Sequence, residues 1–139
     1  MTTGITLINC CGHEIDVMTG EGRIVSIPPS GSMIRLVVED AQVGEAAFCG
    51  EQIPIFKQIP IFRERYHDSK LLPPRAEGVL YIVPKLVATV YSGVRDDFIY
   101  PDTKGATWRK GTTIPEYVPG LRFPATLMTK SGEEERGKV

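Results

Sequence analysis

No apolar run in this chain approaches the roughly 18 residues that a membrane-crossing helix needs. The N-terminus also lacks the basic-then-apolar layout of a secretory signal, so the expected location is the cytoplasm of a bacterial host and no membrane partner is expected. Charge of one sign is missing too. Sixteen basic and seventeen acidic residues leave a formal net charge of -1. That gives no general attraction to a nucleic-acid polymer, and any anion must be held by a local cluster.

Cysteine is scarce and unpaired in pattern. Cys10, Cys11 and Cys49 are odd in number and two are adjacent, which excludes the framework of a secreted disulfide scaffold and makes reduced thiols the expectation. Spaced metal-ligand pairs are absent. Cys10-Cys11-Gly12-His13 has the right residue types, but a site would need Cys49 and His67 to complete it, so buried thiols beside a structural imidazole are the expectation and no metal or cofactor is assigned. The phosphate-cradling glycine loop, the Gly-x-Ser-x-Gly elbow and the dinucleotide fingerprint are all missing. A Cys-His nucleophilic pair from Cys49 and either histidine would leave no sequence signature; no catalytic residue is assigned and the chain is read as a non-enzyme.

What is present describes one domain. At 139 residues, with 42% hydrophobic and 24% charged side chains, the chain has the size and composition of a single self-folding core. Fourteen glycines and eleven prolines punctuate short apolar stretches, which predicts many turns and few long helices. The expected fold is α+β and mostly β: a compact domain over residues 1–130 of short antiparallel strands with one short helix near 84–93, and a mobile charged tail over 131–139.

The pattern along the chain supports this. Glu14 to Met18 alternates polar with apolar, Arg23 to Ile27 is β-branched, and Pro28-Pro29-Ser30-Gly31 ends it. Met33 to Val38 resumes with Ile34, Leu36 and Val38 on one face, and Ala46 to Phe48 reads as a short strand before the turn at Cys49-Gly50. Gly78 to Val83 reads as a buried strand, Pro84 as the first residue of a helix, and Leu121 as part of a last strand. Between them lies a repeat, Gln52-Ile53-Pro54-Ile55-Phe56 and Gln58-Ile59-Pro60-Ile61-Phe62. Its prolines argue for an edge strand, a bulge or an extended arm, and it is read as a local duplication in preference to a docking arm for a partner.

Two sets of residues carry chemistry. Asp96, Asp97 and Asp102 would suit a magnesium ion or a general base, although capping of backbone amides and pairing with Arg95 are the commoner uses of such acids. Arg35, Arg95, Arg109 and Lys110 with Tyr91, Tyr100 and Trp108 would suit a nucleotide, because guanidinium groups hold phosphate oxygens and aromatic rings stack on bases. The alternative is scattered solvated arginines and core aromatics.

These residues fall in blocks that resemble small phage and prophage proteins, which open with Asn-Leu-Thr-Pro-His and carry a Pro-Pro-Ser-Gly turn, a Tyr-Ile-Val-x-x-Leu-Val-Ala block, Arg-x-Asp and Pro-Asp. The matching pieces are Asn9 with His13-Glu14-Ile15, Pro28 to Gly31, Tyr81 to Ala88, Arg95-Asp96-Asp97 and Pro101-Asp102; Cys10-Cys11-Gly12 departs from the pattern. Within this group the chain is similar to the first type of Thoeris anti-defence proteins. That resemblance implies a cytoplasmic sponge that sequesters cyclic ADP-ribose isomers or cyclic oligonucleotides without cleaving them, as a homo-oligomer, a hexamer or a dimer-based assembly. Chemistry then suggests Arg95, Asp96, Asp97 and Tyr100 as ligand-binding residues, with Arg35, Arg109, Trp108 and Tyr91 as further candidates. The rival readings are a phage structural or protein-interaction module that uses residues 52–62 as an edge-pairing arm, and a small phosphodiester hydrolase.

Overall fold

The computed structural model describes residues 4–67, 69–103, 107–108 and 115–125. A four-stranded sheet forms the centre: β1 (Thr6–Asn9), β6 (Val79–Ile82), β7 (Phe98–Pro101) and β10 (Leu121–Arg122), in that order. The short helix α1 (Lys85–Val90) connects β6 to β7. The mostly-β α+β architecture expected from the sequence is observed, with one difference in detail. β1 pairs with β6 and β6 with β7 in parallel, and only β10 runs antiparallel to its neighbour β7. A crossover helix between two strands is what permits parallel pairing.

The sheet is covered on both faces, and the alternation of β6 and β7 shows how. Tyr81, Val83 and Phe98 join Cys10, Ile34, Leu36, Val87 and Ala88 in one cluster, while Ile82 and Ile99 join Ile15 and Val118 in another. Successive side chains on a strand point to opposite faces, so a strand buried on both reads as a continuous apolar run. That is why Tyr81-Ile82-Val83 has no polar member.

α1 is shorter than the helix expected over 84–93. Pro84 stands at its N-cap with extended backbone (φ -58°, ψ 151°), and the chain leaves the helix at Tyr91. Six residues form barely two turns, and the buried side chains Val87 and Ala88 hold them against the sheet.

The hairpin of β2 (Ile15–Met18) and β3 (Ile24–Ile27) packs beside this centre. It is tied to Val118 by two backbone bonds, the Met18 amide to the Val118 carbonyl and the Val118 amide to the Asp16 carbonyl, both 2.8 Å. Asn9 locks the junction. Its buried side-chain amide donates to the carbonyls of His13 (2.8 Å) and Ile27 (3.0 Å), and its Oδ1 accepts from the Cys11 amide (2.9 Å). Its backbone carbonyl accepts from the Ser30 amide (2.9 Å) and hydroxyl (2.7 Å). The opening turn and the Pro28-to-Gly31 turn are thus held by one residue.

The remaining large element is a long ribbon, β4 (Arg35–Phe48) paired with β5 (Glu51–Glu64). At about 3.4 Å per residue, strands of this length span roughly 45 Å. A two-residue turn, Cys49-Gly50, closes it with positive φ at both positions (53° and 81°), the conformation that matches the twist of paired strands. Only the base reaches the core, through Leu36 and Phe62. The repeat is therefore the greater part of a projecting β-strand, not a segment folded into the body. A short pairing of β8 (Thr107–Trp108) with β9 (Pro115–Tyr117) completes the described elements.

Candidate functional site

The arginine, carboxylate and aromatic residues singled out in the sequence do not converge on one cavity among the described residues. Arg95 and Asp97 are paired with each other. The Arg95 Nε and Nη2 donate to the two Asp97 carboxylate oxygens at 2.9 and 2.8 Å, with both side chains about 10% exposed. The Arg95 guanidinium also lies over the Phe98 ring, 4.5 Å from its centroid. A guanidinium whose fork is filled by a carboxylate and whose plane is covered by a ring has little left for a phosphate.

The other members are dispersed. Asp96 points outward and pairs with Arg75 at 2.7 Å, both groups well exposed. Tyr91 is half-buried in the core, its ring 6.2 Å from that of Phe98 and 6.4 Å from that of Phe62. Burial raises its phenol pKa, as it does for Tyr81. Tyr100 is half-buried on β7 with the Lys85 ammonium 5.8 Å from its ring centroid. Arg35 is exposed at the base of β4, opposite Glu64. Trp108 is placed in β8 by its backbone, and its side chain, like Arg109 and Lys110, lies outside the described residues. The expected tail over 131–139 lies outside them as well.

The cysteines and histidines also stand apart. Burial pushes the Cys11 thiol up to about 12, with the neighbouring Cys10 adding to the shift, and burial raises Cys10 as well. Both are protonated thiols at neutral pH and poor nucleophiles. Cys49 sits exposed at the tip of the ribbon. Among the described residues no three His, Cys, Asp or Glu side chains are grouped as metal ligands. Asp102 accepts from Arg122 at 2.5 Å, a pairing that raises the Arg122 pKa.

Two concavities bear on the site, the first touching Asp96 and Asp97 and the second none of the expected ligand-binding residues. One, of about 360 Å³, is lined by Arg75, Glu77, Asp96 and Asp97 among others. Three carboxylates against Arg75, with Asp97 already neutralised by Arg95, make it acidic and unsuited to a phosphate. The other, of about 180 Å³, brings His13, Glu14 and Asp16 against Lys85, Pro101 and Thr103. It joins the opening turn to the start of the helix and the Pro101-Asp102 loop, a juxtaposition that the sequence does not announce.

The ribbon is the most unusual surface of the molecule. From Val38 to Ile61 every residue except Ala41 is exposed. Val38, Val43, Phe48, Ile53, Ile55, Phe56, Ile59 and Ile61 are all among the exposed large hydrophobics, with Val43, Phe48 and Phe56 at about 60% or more. Six is an even period, so each residue of the repeat projects on the same side as its copy. Ile53, Ile55, Ile59 and Ile61 therefore share one face of β5 with Lys57 between them, and Pro54, Phe56, Pro60 and Phe62 share the other. Monomeric proteins seldom leave so continuous an apolar surface in water. Counting the even spacing would have revealed these two faces in the sequence; nothing there revealed that the body would cover neither.

No family model, curated protein or solved structure matches this chain.

Proposed function

We propose that this chain is a protein-interaction module whose projecting ribbon, β4 with β5, docks on a protein partner. One observation carries the reading: eight large apolar side chains stand exposed on a two-stranded arm that only its base anchors. An isolated two-stranded hairpin is marginal in water, and needs a third strand or a covered face to be stable by itself. Burying eight half-exposed side chains is worth roughly 1 kcal/mol each, a gross gain that a docking partner draws on after the cost of association. The work is stoichiometric binding, with no bond made or broken.

The test places a photo-crosslinking residue at Phe56 on the arm or, as control, at the exposed Val25 on β3, in chain expressed in bacterial cells. Irradiation is expected to give discrete adducts from Phe56, with a partner or with a second copy, and none from Val25. Absence of any discrete adduct from Phe56, or an equal pattern from both positions, would refute the reading.

Sequestration of a cyclic nucleotide, as the resemblance implies, is the second reading. The 180 Å³ cleft supports it, since Lys85 and His13 meet Pro101 and Thr103 there, Glu14 and Asp16 beside them suit ribose hydroxyls, and the Lys85 ammonium lies against Tyr100. Thermal shift against cyclic ADP-ribose isomers and cyclic di- and trinucleotides tests it. A shift that Lys85→Ala abolishes, with ligand recovered intact on heating, is the expected result, and no shift at ligand concentrations well above micromolar rejects it.

A further inference from the structure

The two open edges of the ribbon differ, and the difference says where a third strand would go. Phe48 and Glu51 flank the two-residue turn, so they form a hydrogen-bonded pair, and such pairs recur at every second residue. On β5 the amides of Ile53, Ile55, Lys57, Ile59 and Ile61 therefore face β4, while positions 52, 54, 56, 58, 60 and 62 face outward. Both prolines of the repeat fall in the outward set. Lacking a donor and adding a ring, Pro54 and Pro60 close the β5 edge to strand addition.

The β4 edge has no such guard. Its register with β5 is uninterrupted from Leu36 to Gln42, no proline lies anywhere in the strand, and among the described residues no third strand pairs with it. Leu36, Val38, Asp40 and Gln42 point their backbone groups outward there. The same strand is acidic: Glu39, Asp40 and Glu45 are exposed, and no basic residue occurs between Leu36 and Phe48. Glu39 has Lys57 as a diagonal neighbour on its own face, whereas the face of Asp40 offers no cation, with Val38, Gln42, Phe56, Gln58 and Pro60 around it.

We propose that the β4 edge from Leu36 to Gln42 accepts an extended basic segment of a partner protein as a third strand. This rests on the interaction-module reading above and names its partner chemistry. Apolar side chains of the incoming strand extend the isoleucine face, and its lysines or arginines lie beside Asp40 on the other. A second copy of this chain is disfavoured at this edge, because β4 against its own copy brings Glu39 and Asp40 close to like charges. A copy's β5 is closed by its prolines.

The probe is a fluorescein-labelled peptide, Lys-Val-Lys-Val-Lys-Val-Lys, titrated with the full chain and read by anisotropy, with the Glu-Val counterpart as control. Saturable binding at least tenfold tighter for the basic peptide is expected. Val38→Pro, which stands directly opposite Pro60 and leaves the internal hairpin bonds intact, is expected to weaken binding at least tenfold. Asp40→Lys, a change at an exposed side chain, should do the same with an unaltered melting curve. No binding, or binding indifferent to both variants, overturns strand addition. A dimer in sedimentation that Val38→Pro dissociates also overturns it, in favour of a second copy as occupant. If peptide binding fails while Phe56 crosslinks persist, the arm docks by its faces and the interaction-module reading stands; if both fail, both are wrong.

Discussion

Replacing Arg95 distinguishes a ligand-binding arginine from a structural one. Its guanidinium is nine-tenths buried, holds both oxygens of Asp97 and covers Phe98. Removing one partner of a buried ion pair leaves an unpaired charge in a poorly solvated place, at a cost of about 3–5 kcal/mol. Against a total stability of about 5–15 kcal/mol, that is a large fraction. For a chain of this size 1 kcal/mol moves Tm by about 4 °C, so Arg95→Ala is expected to lower Tm by about 12–20 °C. Asp97→Asn, which keeps the shape but removes the charge and leaves one acceptor oxygen, should fall in the same direction by a smaller amount. The double variant Arg95→Met/Asp97→Leu removes both charges and should be more stable than Arg95→Ala alone, the non-additive signature of a coupled pair. Calorimetric or circular-dichroism melts of the four proteins provide the measurement. An Arg95→Ala protein melting within about 3 °C of the parent would show that the pair does not support the fold, and would return Arg95 to the list of ligand-binding candidates.

Three further outcomes follow from the structure. Asn9→Leu keeps the volume but strips three side-chain hydrogen bonds from buried or half-buried backbone groups, and at about 1–3 kcal/mol per orphaned group it should cost at least about 3 kcal/mol in urea unfolding. Cys49→Asn should stabilise the ribbon by about 1 kcal/mol, because Cys49 adopts φ 53° where asparagine before glycine is favoured; an unchanged or lowered Tm would contradict the turn geometry. Stability should fall at alkaline pH. The Cys11 thiol ionises near 9.0 when unfolded but near 12 when folded, so the folded state retains the proton in that window and the unfolded state does not. Its contribution is fully present below pH 9 and declines by about 1.4 kcal/mol per pH unit above it, a slope that Cys11→Ala should remove from urea midpoints taken between pH 8 and 11.

The body of this protein was largely legible in the sequence, because each of its elements is short and its cause is local. Alternation marked β2, β-branching marked β3, and the run Tyr81-Ile82-Val83 marked β6. Parallel pairing was not legible, since it depends on where α1 returns the chain and no residue pattern of β6 or β7 records its neighbour's direction. Nor was the fate of the charged residues. Arg95-Asp96-Asp97 reads more readily as capping and pairing groups than as a ligand clamp, and only burial separates the two. The adjacent carboxylates part company because Asp97, just before β7, is buried while Asp96 faces water.

The blocks that resemble phage proteins are nearly all parts of that body. Asn9 ties the opening turn to Pro28-to-Gly31, Tyr81 to Ala88 fills both faces of the sheet, and Arg95 neutralises Asp97 beneath Phe98. Residues with such roles hold the body together and carry no information about what it binds. Even the departure fits this view. Gly12 adopts φ 85°, closed to a proline, and a Cβ there would press on the Met33 sulfur. In the arm, prolines recur at an even spacing, on the outward edge of β5 alone, and leave the acidic edge of β4 open. Random placement would have put a proline on an inward position about as often, where it would have broken a rung of the hairpin. The spacing of the repeat thus does two things at once: it lets a proline-bearing segment remain a strand, and it directs any further strand to one side.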